Sequence, residues 1–502
     1  MHTISQPGSQ IHIMFSHLGV LALGLLLLWL IHYVLVASNI LSPLSRLPTA
    51  HWSAHISSRW LRQACAQDGE LNTLYTAHRK SGPIVRLAPG EVSVVSQEGL
   101  RKVYVGGLDK SSWYEQTFRV YGMPNLVCTL DHKTHSSVRR LIAGSYTKTY
   151  LQHAEDLRAL SHRIVLERLL PDLSKRASSA RDTNVMELFE CMAVDFATGH
   201  LFGNTIGTDL LVSEDHRRPY VDEWRRVGGS SADAGRPLTE ALILEKCKLA
   251  SRICEEDQCR QEEQETVFAK LLRGLCDKAK QGGLNASEVI TRCASEVADH
   301  VIASQETVSI IWTYIFYRLS QRPDVQERLR AELRSLESFT SNDKHDTLLP
   351  EPASIERLPV LDAVVTETLR LHAANPARMR RVVPSAGLSL HGYFLPPKTI
   401  VSSNAYCLHR NEDVFAVPFE WHPGRWLSSA SMEAKCSHAS DLHRMRKWLW
   451  AFGSGPRGCI GQYFAIQSMI HSTPLFLSCR LTSRSHKACG GSNILPVHNE
   501  AY

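Results

Sequence analysis

The segment Trp450–Ala465, with the sequence WAFGSGPRGCIGQYFA, contains residue types that support two different kinds of chemistry. Gly453, Gly455 and Gly458 form the pattern G-x-G-x-x-G, which is typical of loops that bind the pyrophosphate of a dinucleotide. Cys459 follows directly, although a dinucleotide site needs no cysteine. The segment is therefore either a phosphate-binding loop or a loop that positions a cysteine sulfur.

A dinucleotide-binding loop should open a strand–helix–strand unit, with an acidic residue about 20 positions later for the ribose. After Cys459 the only acidic residue is Glu500, and too little chain follows to complete a nucleotide-binding domain. Pro456 also lacks one of the backbone N–H donors that a phosphate would use. The sequence disfavours the dinucleotide hypothesis.

A thiolate that binds a haem iron must stay deprotonated, which backbone N–H groups, a following helix N-terminus and a nearby cation all favour. The residues from Gly461 onward, GQYFAIQSM, predict such a helix, and Arg457 supplies a cation that could pair with a haem propionate. Glycines let the backbone approach both the sulfur and a flat porphyrin. A thiolate ligand favours O–O bond cleavage.

Phe452, Gly455, Arg457, Cys459 and Gly461 form F-x-x-G-x-R-x-C-x-G, which resembles the haem-binding signature of the cytochrome P450 family. The resemblance implies that Cys459 is the axial ligand of heme b, iron protoporphyrin IX. It also implies that the other four residues contact this cofactor. The fold expected from the resemblance is mainly α-helical with small β-sheets.

Glu367 and Arg370 form E-x-x-R, a spacing that puts both on one face of a helix. Arg425, in PFEWHPGRW, resembles a second arginine of the family, although Gly424 stands where an acidic residue is usual. The resemblance implies a structural network of Glu367, Arg370 and Arg425 that supports the loop beneath the haem.

The segment Ala303–Thr307, ASQET, resembles the oxygen-activating turn of the family. The resemblance implies that Thr307 hydrogen-bonds the bound oxygen and that Glu306 relays protons through water. An ordinary helical threonine, with its hydroxyl bonded to an upstream carbonyl, is the alternative. Ser304 stands where the family has glycine, so its side chain could narrow the oxygen-binding groove.

Other residues resemble the family's propionate ligands. His135 and Arg139 are similar to its W-x-x-x-R, with histidine replacing tryptophan. Arg381 matches a further propionate-binding arginine, but Arg378 and Arg380 are near enough in sequence to compete with it. Ordinary surface arginines remain the alternative for each.

The N-terminal region predicts a membrane anchor. Residues Met1–Ser45 contain no Lys, Arg, Asp or Glu, and Phe15–Ala37 is long enough, at ~1.5 Å per residue, to cross a ~30 Å hydrocarbon core. A cleaved signal peptide is the alternative, but it usually has a basic start and a shorter apolar run. The first basic residues, beginning with Arg46, follow the apolar segment, so the positive-inside rule places the rest of the chain in the cytosol.

We therefore expect a single-pass protein of the endoplasmic reticulum membrane whose catalytic domain faces the cytosol. The predicted parts are a short lumenal segment at 1–14, a transmembrane helix at 15–37, a proline-containing hinge at 38–50 and a haem-binding domain at 51–502.

Composition excludes several other classes. A formal charge of +6 over 502 residues, without an arginine-rich arm, does not indicate nucleic-acid binding. The thirteen cysteines show no C-x-x-C spacing, so they predict no zinc site. Hydrophobic residues at 43% and charged residues at 21% are ordinary for a packed globular protein.

Apolar periodicity places the motifs on elements. GPIVRLAPGEVSVVS, residues 82–96, predicts a hairpin, and 151–280 is mostly helical in pattern. A long helix is expected from Ser287, its N-cap, to Ser320, before Pro323. Two more helices are predicted in PDVQERLRAELRSL and LPVLDAVVTETLRLH, each with a proline near its start.

Beyond Met469 the resemblance ends, and residues 469–502 are atypical. Pro474 is expected to break the helix that should run beneath the haem. Either this end has diverged, or the reading frame or splicing has changed. In the second case the chain would bind haem poorly.

The resemblance, which is closest to filamentous-fungal members, implies a microsomal monooxygenase acting on a lipophilic small molecule in secondary metabolism. Electrons would come from NADPH through a separate reductase, with cytochrome b5 as a further possible donor. Arg444, Arg446 and Lys447 lie just before the haem loop, where they would attract an acidic reductase, and an ordinary solvated charged turn is the alternative. One alternative is an enzyme of this fold that rearranges or dehydrates its substrate without O2. The other is a non-catalytic, haem-binding relic.

Overall fold

A computed structural model describes residues 17, 19–33, 42–178, 183–227, 237–256, 265–282, 285–336, 351–427 and 439–478. The described chain is mainly helical with two small sheets, as the sequence predicts. It forms two compact units. One comprises the described residues up to Val94 together with Val382–Ser402, and the other comprises Val95–Arg381 and the described residues from Ser403 onward.

The strands are short. They are β1 (Ile84–Ala88), β2 (Glu91–Val94), β3 (Arg381–Val382), β4 (Leu388–Leu390), β5 (Tyr393–Leu395) and β6 (Ile400–Ser402). The larger sheet has the order β1-β2-β6-β3, and β4 pairs with β5 in the smaller one. The antiparallel pairing of β1 with β2 confirms the predicted hairpin, and β2 runs parallel to β6.

Residues 19–33 are helical, and their leucine side chains are exposed. The predicted transmembrane segment 15–37 is not confirmed, because most of its other positions lie outside the described residues. Within the described part of the chain, no helix is both long enough and apolar enough to cross a membrane.

Helices carry most of the chain, and the first unit contributes Arg59–Asp68 and Glu70–Ser81. The main helices of the second unit are Trp113–Phe118, His132–Ile142, Lys148–His153, Glu155–His162, Leu170–Ser178, Val185–Phe202, Glu214–Val227, Pro237–Glu256, Val267–Gly282, Ala286–Ser320, Pro323–Arg334, Pro352–Ile355, Pro359–Leu371, Ala405–His409, Ala439–Trp448 and Gln462–Ser478.

The long helix, Ala286–Ser320, ends where the sequence predicts but begins earlier. Its N-cap is Asn285 rather than Ser287. The Asn285 side chain accepts a 2.9 Å hydrogen bond from the Glu288 N–H, and the Glu288 carboxylate accepts one of 2.9 Å from the Asn285 N–H. This reciprocal capping box satisfies two N–H groups at once, an advantage that Ser287 does not have in this structure.

The long helix packs against Val185–Phe202, which is buried along most of its length, from Leu188 to Phe202. Trp312 is fully buried at this interface, against Phe189 and Phe196. A helix that is buried on nearly all sides belongs in the core of a large domain, and its packing anchors the long helix on one side.

Two further helices begin with proline at their first position, Pro323–Arg334 and Pro359–Leu371, as predicted. The expectation that Pro474 breaks its helix is wrong, because Gln462–Ser478 continues through it. Proline inside a helix costs about 3 kcal/mol. Burial of the preceding turn, Met469–Thr473, offsets that cost.

Candidate functional site

Cys459 lies between a tight turn, Gly455–Arg457, and the helix that begins at Gln462. Its main-chain N–H donates a 2.9 Å hydrogen bond to the carbonyl oxygen of Phe452, which closes the loop. Burial raises the pKa of the Cys459 thiol, while the backbone N–H of Gly461 and the charge of Arg139 act in the opposite direction. The groups that stabilise a thiolate are therefore in place beside the sulfur.

The Cys459 side chain is exposed, yet desolvation by the surrounding protein is the main cause of its raised pKa. A side chain that is accessible and yet desolvated faces an internal recess rather than open solvent. On the long helix, Ala303 is also exposed, while Val301 and Gln305 beside it are buried. Asp299, one turn earlier, is near enough to Cys459 for their charges to interact. The cysteine loop and this part of the long helix are therefore near each other, and each has an accessible side chain.

The loop requires glycine at two positions. Gly455 has φ +73°, and a Cβ there would collide with the carbonyl oxygen of Tyr104. Gly453 has φ +68°, a left-handed conformation that other residues rarely adopt. At Gly461 an added Cβ would lie 4.0 Å from the sulfur of Cys459, which is an ordinary van der Waals contact, so Gly461 lies directly beside the sulfur.

The guanidinium of Arg457 is buried and is held by main-chain carbonyls. It donates a 2.6 Å hydrogen bond to the Thr129 carbonyl oxygen and another to that of Leu130. Its carboxylate partner, Asp109, lies 3.7 Å away and is largely exposed. Burial, reinforced by the charge of Arg381, lowers the pKa of Arg457 to about 10. Nε of Arg457 has no hydrogen-bond partner among the described residues.

Arg381 is buried and its guanidinium lies 5.0 Å from the ring centre of Tyr104. A β-bridge joins it to Lys110, a residue that belongs to none of the sequence motifs. Lys110 is buried and donates a 2.5 Å hydrogen bond to the Val127 carbonyl oxygen. Burial, with the charges of Arg381 and Arg457, lowers the pKa of Lys110 to about 7. No spacing rule links Lys110 to Arg381, so the sequence carries no signal for it.

His135 and Arg139 lie one turn apart on the helix His132–Ile142. Nη1 of Arg139 donates a 2.9 Å hydrogen bond to the carbonyl oxygen of Gly458, directly before Cys459. His135 is buried, and Nδ1 has no partner within the described chain. Burial and the charge of Arg457 lower the pKa of His135 to about 3, so the ring is neutral.

Arg378 and Arg380, the two arginines that compete with Arg381 in the sequence, have different surroundings. The guanidinium of Arg380 stacks 4.7 Å from the ring centre of Trp113, while Arg378 is buried. Of the three, Arg381 is the one whose charge lowers the pKa of Arg457, so it belongs to the same cluster.

Lys110, Arg381 and Arg457 form a buried cationic cluster, with His135 and Arg139 beside it. Buried like charges repel one another and are stable only when an opposite charge or hydrogen bonds offset the desolvation. Main-chain carbonyls and the nearby carboxylates of Asp109, Asp131 and Asp299 supply part of this, and the Nε of Arg457 stays unbonded among the described residues. The two propionates of a haem would complete the neutralisation, and Cys459 would supply the iron ligand. The residues present fit a haem.

Glu367, Arg370 and Arg425 are in direct contact, and the first two are fully buried. The carboxylate of Glu367 accepts two 2.8 Å hydrogen bonds from Arg370 and one of 3.1 Å from Arg425. Trp426 Nε1 and the main-chain N–H of His422 also donate to this carboxylate, at 2.8 and 2.9 Å. Every lone-pair direction of the buried carboxylate is used, which is the condition for a stable buried ion pair.

His409 connects this network to the cysteine loop, and no sequence motif identified it. Its Nδ1 lies 2.9 Å from the Arg370 carbonyl oxygen, and its Nε2 accepts a 2.7 Å hydrogen bond from the main-chain N–H of Trp450. Burial and the charge of Arg370 lower the pKa of His409 to about 3. The ring is therefore a neutral bridge between the two segments.

In the long helix, the Thr307 hydroxyl donates a 2.8 Å hydrogen bond to the carbonyl oxygen of Ala303. Ser304 directs its hydroxyl to the Ala193 carbonyl oxygen, 3.3 Å away on the neighbouring helix. Its polar group is thus bonded to an adjacent helix. Glu306 lies near Glu190. Burial, with the charges of Glu187 and Glu306, raises the pKa of Glu190 to about 7, against the opposing charge of Arg225.

The basic residues expected to face a partner, Arg444, Arg446 and Lys447, are exposed on the helix Ala439–Trp448. Arg446 pairs with Asp362 at 3.2 Å, which partly neutralises it. Arg444 and Lys447 contribute positive charge at this surface.

Comparisons with known proteins place this chain in a family. The profile described as Cytochrome P450 matches residues 247–494. Cytochrome P450 monooxygenase avaI of Aspergillus versicolor is 31% identical over 395 residues, which cover 77% of this chain and 92% of that protein.

Two further relatives cover more of the chain at lower identity. Cytochrome P450 monooxygenase orf2 of Aspergillus niger is 29% identical over 88% of this chain and 87% of its own length. Cytochrome P450 monooxygenase gsfF of Penicillium aethiopicum is 26% identical over 90% of both. The family implies a haem with a cysteine thiolate ligand, which is the group that the residues around Cys459 fit. This chain therefore belongs to the cytochrome P450 family of oxidoreductases.

Proposed function

We propose that this protein is a haem-thiolate monooxygenase that inserts one oxygen atom from O2 into a lipophilic small molecule of fungal secondary metabolism. The observation that carries the proposal is the accessible sulfur of Cys459, which lies near the long helix and beside a buried cationic cluster. The names of the fungal relatives, all monooxygenases, support the reaction class.

Cys459 is proposed as the axial ligand, and Arg457, Arg139, His135 and Arg381 as the groups that hold the propionates. Phe452, Gly455 and Gly461 shape the loop around the sulfur. When bound, the haem supplies the activation of O2. The chain's residues hold this group, exclude water and position the substrate.

Thr307 and Glu306 are proposed to control protons at the oxygen-binding side. The Thr307 hydroxyl lies one turn from exposed Ala303, so it can donate to a ligand in the recess once it releases the Ala303 carbonyl oxygen. Glu306 lies near Glu190, whose pKa burial raises to about 7, with a smaller contribution from the charge of Glu306. Such a pair can hold a proton near neutral pH and pass it on through water.

Electrons are proposed to come from NADPH through a separate reductase, with cytochrome b5 as an additional donor. The exposed cations Arg444 and Lys447 would attract an acidic partner surface. We also propose attachment to the endoplasmic reticulum membrane. The helix at 19–33, whose apolar side chains are exposed, supports contact with lipid.

The test is the absorption spectrum of the reduced, carbon monoxide-bound protein. Wild-type protein should show the red-shifted Soret band of thiolate ligation, and Cys459→Ala should lose it. Cys276→Ala, which removes a half-buried thiol elsewhere, is the control and should keep the band. A wild-type spectrum without this band would refute the proposal.

Turnover separates the monooxygenase from an enzyme of the same fold that needs no O2. Product formation should require O2, NADPH and added reductase together. Turnover of an already oxidised substrate without reductase would favour rearrangement or dehydration instead.

A further inference from the structure

Three titratable side chains form a chain inside the second unit, and none of them belongs to the site described above. The hydroxyl of Tyr146 lies 2.6 Å from Nδ1 of His300 on the long helix. Nε2 of the same ring lies 3.3 Å from the carboxylate of Glu296, one turn earlier. Glu296 is buried and also accepts a 2.9 Å hydrogen bond from the Leu126 N–H. A phenol, an imidazole and a carboxylate thus follow one another.

The carboxylate determines which ring nitrogen of His300 carries the proton. Nε2 of His300 and Oε1 of Glu296 are both buried, and neither has a regular hydrogen-bond partner among the described residues. A proton on Nε2 therefore faces the negative charge that can stabilise it. Nδ1 is then the unprotonated nitrogen, so it accepts the hydrogen bond from Tyr146 and is a base that can take the phenolic proton.

Other tyrosine hydroxyls of this unit have a different kind of partner. Tyr104 donates a 2.6 Å hydrogen bond to the main-chain carbonyl oxygen of Met379. Tyr121 donates one of 2.5 Å to that of Glu240. A carbonyl oxygen takes no proton at neutral pH, so these bonds hold the tyrosines in place and do no more. Tyr146 is instead bonded to an imidazole, the side chain that most readily exchanges a proton near neutral pH.

Tyr146 is connected to the cysteine loop through aromatic contacts. Its ring meets His200 edge-on, with 4.9 Å between ring centres, and His200 stacks at 4.6 Å on Phe464 in the helix that follows Cys459. Burial is the main cause that raises the pKa of Tyr146 well above its usual value, and the charges of Glu296 and Cys459 add to it. The phenol therefore stays protonated, and its oxidation requires that its proton leave as well.

We propose that Tyr146 is a redox-active residue that gives one electron to an oxidised haem bound at Cys459 while its hydroxyl proton moves to Nδ1 of His300. This inference rests on the proposed function, because the haem is the electron acceptor. The phenolic O–H bond breaks and an N–H bond forms. Tyr146 becomes a neutral radical, His300 becomes an imidazolium beside the carboxylate of Glu296, and the haem gains one electron.

A one-electron reductant, such as ascorbate, restores the phenol, and the proton returns from His300. The step removes an oxidising equivalent that no substrate consumes. Tyr146 thereby protects the haem and the side chains around it from oxidation.

The test is electron paramagnetic resonance of the substrate-free, haem-loaded protein, frozen shortly after addition of hydrogen peroxide. Peroxide takes up two electrons and two protons to form water, and Tyr146 supplies one of these electrons and the haem the other. Tyr146→Phe removes the oxidisable phenol. His300→Gln keeps an acceptor for the hydroxyl but is not a base. Tyr121→Phe, which removes a hydroxyl bonded to a main-chain carbonyl oxygen, is the control.

We expect a tyrosyl radical signal in the wild type and in Tyr121→Phe, and its loss in Tyr146→Phe. His300→Gln should lose most of the signal although the hydroxyl keeps its acceptor, a result that a merely structural hydrogen bond does not give. The signal should form more slowly in D2O, because an O–H bond breaks in the step. If Tyr146→Phe does not load haem, His300→Gln and the solvent isotope effect decide the question.

A wild-type protein without a tyrosyl radical would overturn the inference, as would an undiminished signal in Tyr146→Phe or His300→Gln. The carbon monoxide spectrum separates this failure from that of the proposed function. A normal thiolate Soret band without the radical rejects only the role of Tyr146, whereas a missing band rejects the monooxygenase and this role together.

Discussion

The main-chain N–H of Trp450 donates a 2.7 Å hydrogen bond to Nε2 of His409. The other ring nitrogen lies 2.9 Å from the carbonyl oxygen of Arg370. Because Nε2 accepts, Nδ1 must carry the proton, and the ring bridges the helix Pro359–Leu371 to the loop that holds Cys459. Protonation of Nε2 would break this bridge.

The first prediction concerns pH. The pKa of His409 falls from 6.5 to about 3 on folding, so between these values the unfolded chain binds a proton that the folded protein does not. Stability should therefore fall as the pH decreases from about 6.5. His409→Gln keeps an acceptor for Trp450 and cannot be protonated, so its slope should be shallower by up to ~1.4 kcal/mol per pH unit.

The measurement is the free energy of unfolding by urea at several pH values between about 4 and 7. His443→Gln, at an exposed position, is the control and should follow the wild-type slope. Parallel curves for wild type and His409→Gln would contradict this role for His409.

The second prediction concerns the buried ion pair. Glu367→Gln leaves Arg370 and Arg425 buried without their shared counter-charge, which should lower stability by about 3–5 kcal/mol. Asp362→Asn removes the partner of Arg446 in an exposed pair and should cost ~0–1 kcal/mol. Thermal unfolding and haem content of both variants measure the difference. A Glu367→Gln protein as stable as Asp362→Asn would show that the network is not structural.

The third prediction concerns the cysteine loop. Gly455→Ala forces a side chain into a left-handed conformation and against the Tyr104 carbonyl oxygen, so the loop must shift. We expect lower haem retention and a weaker thiolate Soret band. Gly144→Ala, where an added Cβ meets nothing within 4 Å, should behave as wild type. An unaltered spectrum for Gly455→Ala would mean that the loop tolerates this strain.

The fourth prediction concerns Thr307. Thr307→Val removes the hydroxyl but keeps the shape, so product formed per NADPH consumed should fall at least about tenfold while NADPH oxidation continues. Thr307→Ser should retain most of the coupling. Thr313→Val is the matched control, because Thr313 makes the same 2.8 Å bond to a carbonyl one turn upstream. If both valine variants form the same amount of product per NADPH consumed, Thr307 is an ordinary helical residue.

Local patterns are sufficient for much of this site. The residue types and spacing around Cys459 are enough to predict a loop that positions its sulfur, and E-x-x-R predicts that Glu367 and Arg370 share a helix face. Proline at the first helical position locates the starts of Pro323–Arg334 and Pro359–Leu371. Each of these features depends on residues within one or two turns, where backbone geometry alone determines neighbours.

Tertiary structure decides the remainder. His409 meets Trp450 across 41 positions of sequence, and Lys110 meets Arg381 across a β-bridge, pairings that no local pattern encodes. Pro474 stays inside its helix because buried neighbours offset a local penalty. In the sequence Asp299 is one more acidic residue of a long helix, and only the tertiary structure brings it near enough to Cys459 for their charges to interact. Sequence determines which structure a segment can form by itself, whereas burial and long-range contacts determine which residues come together in the site.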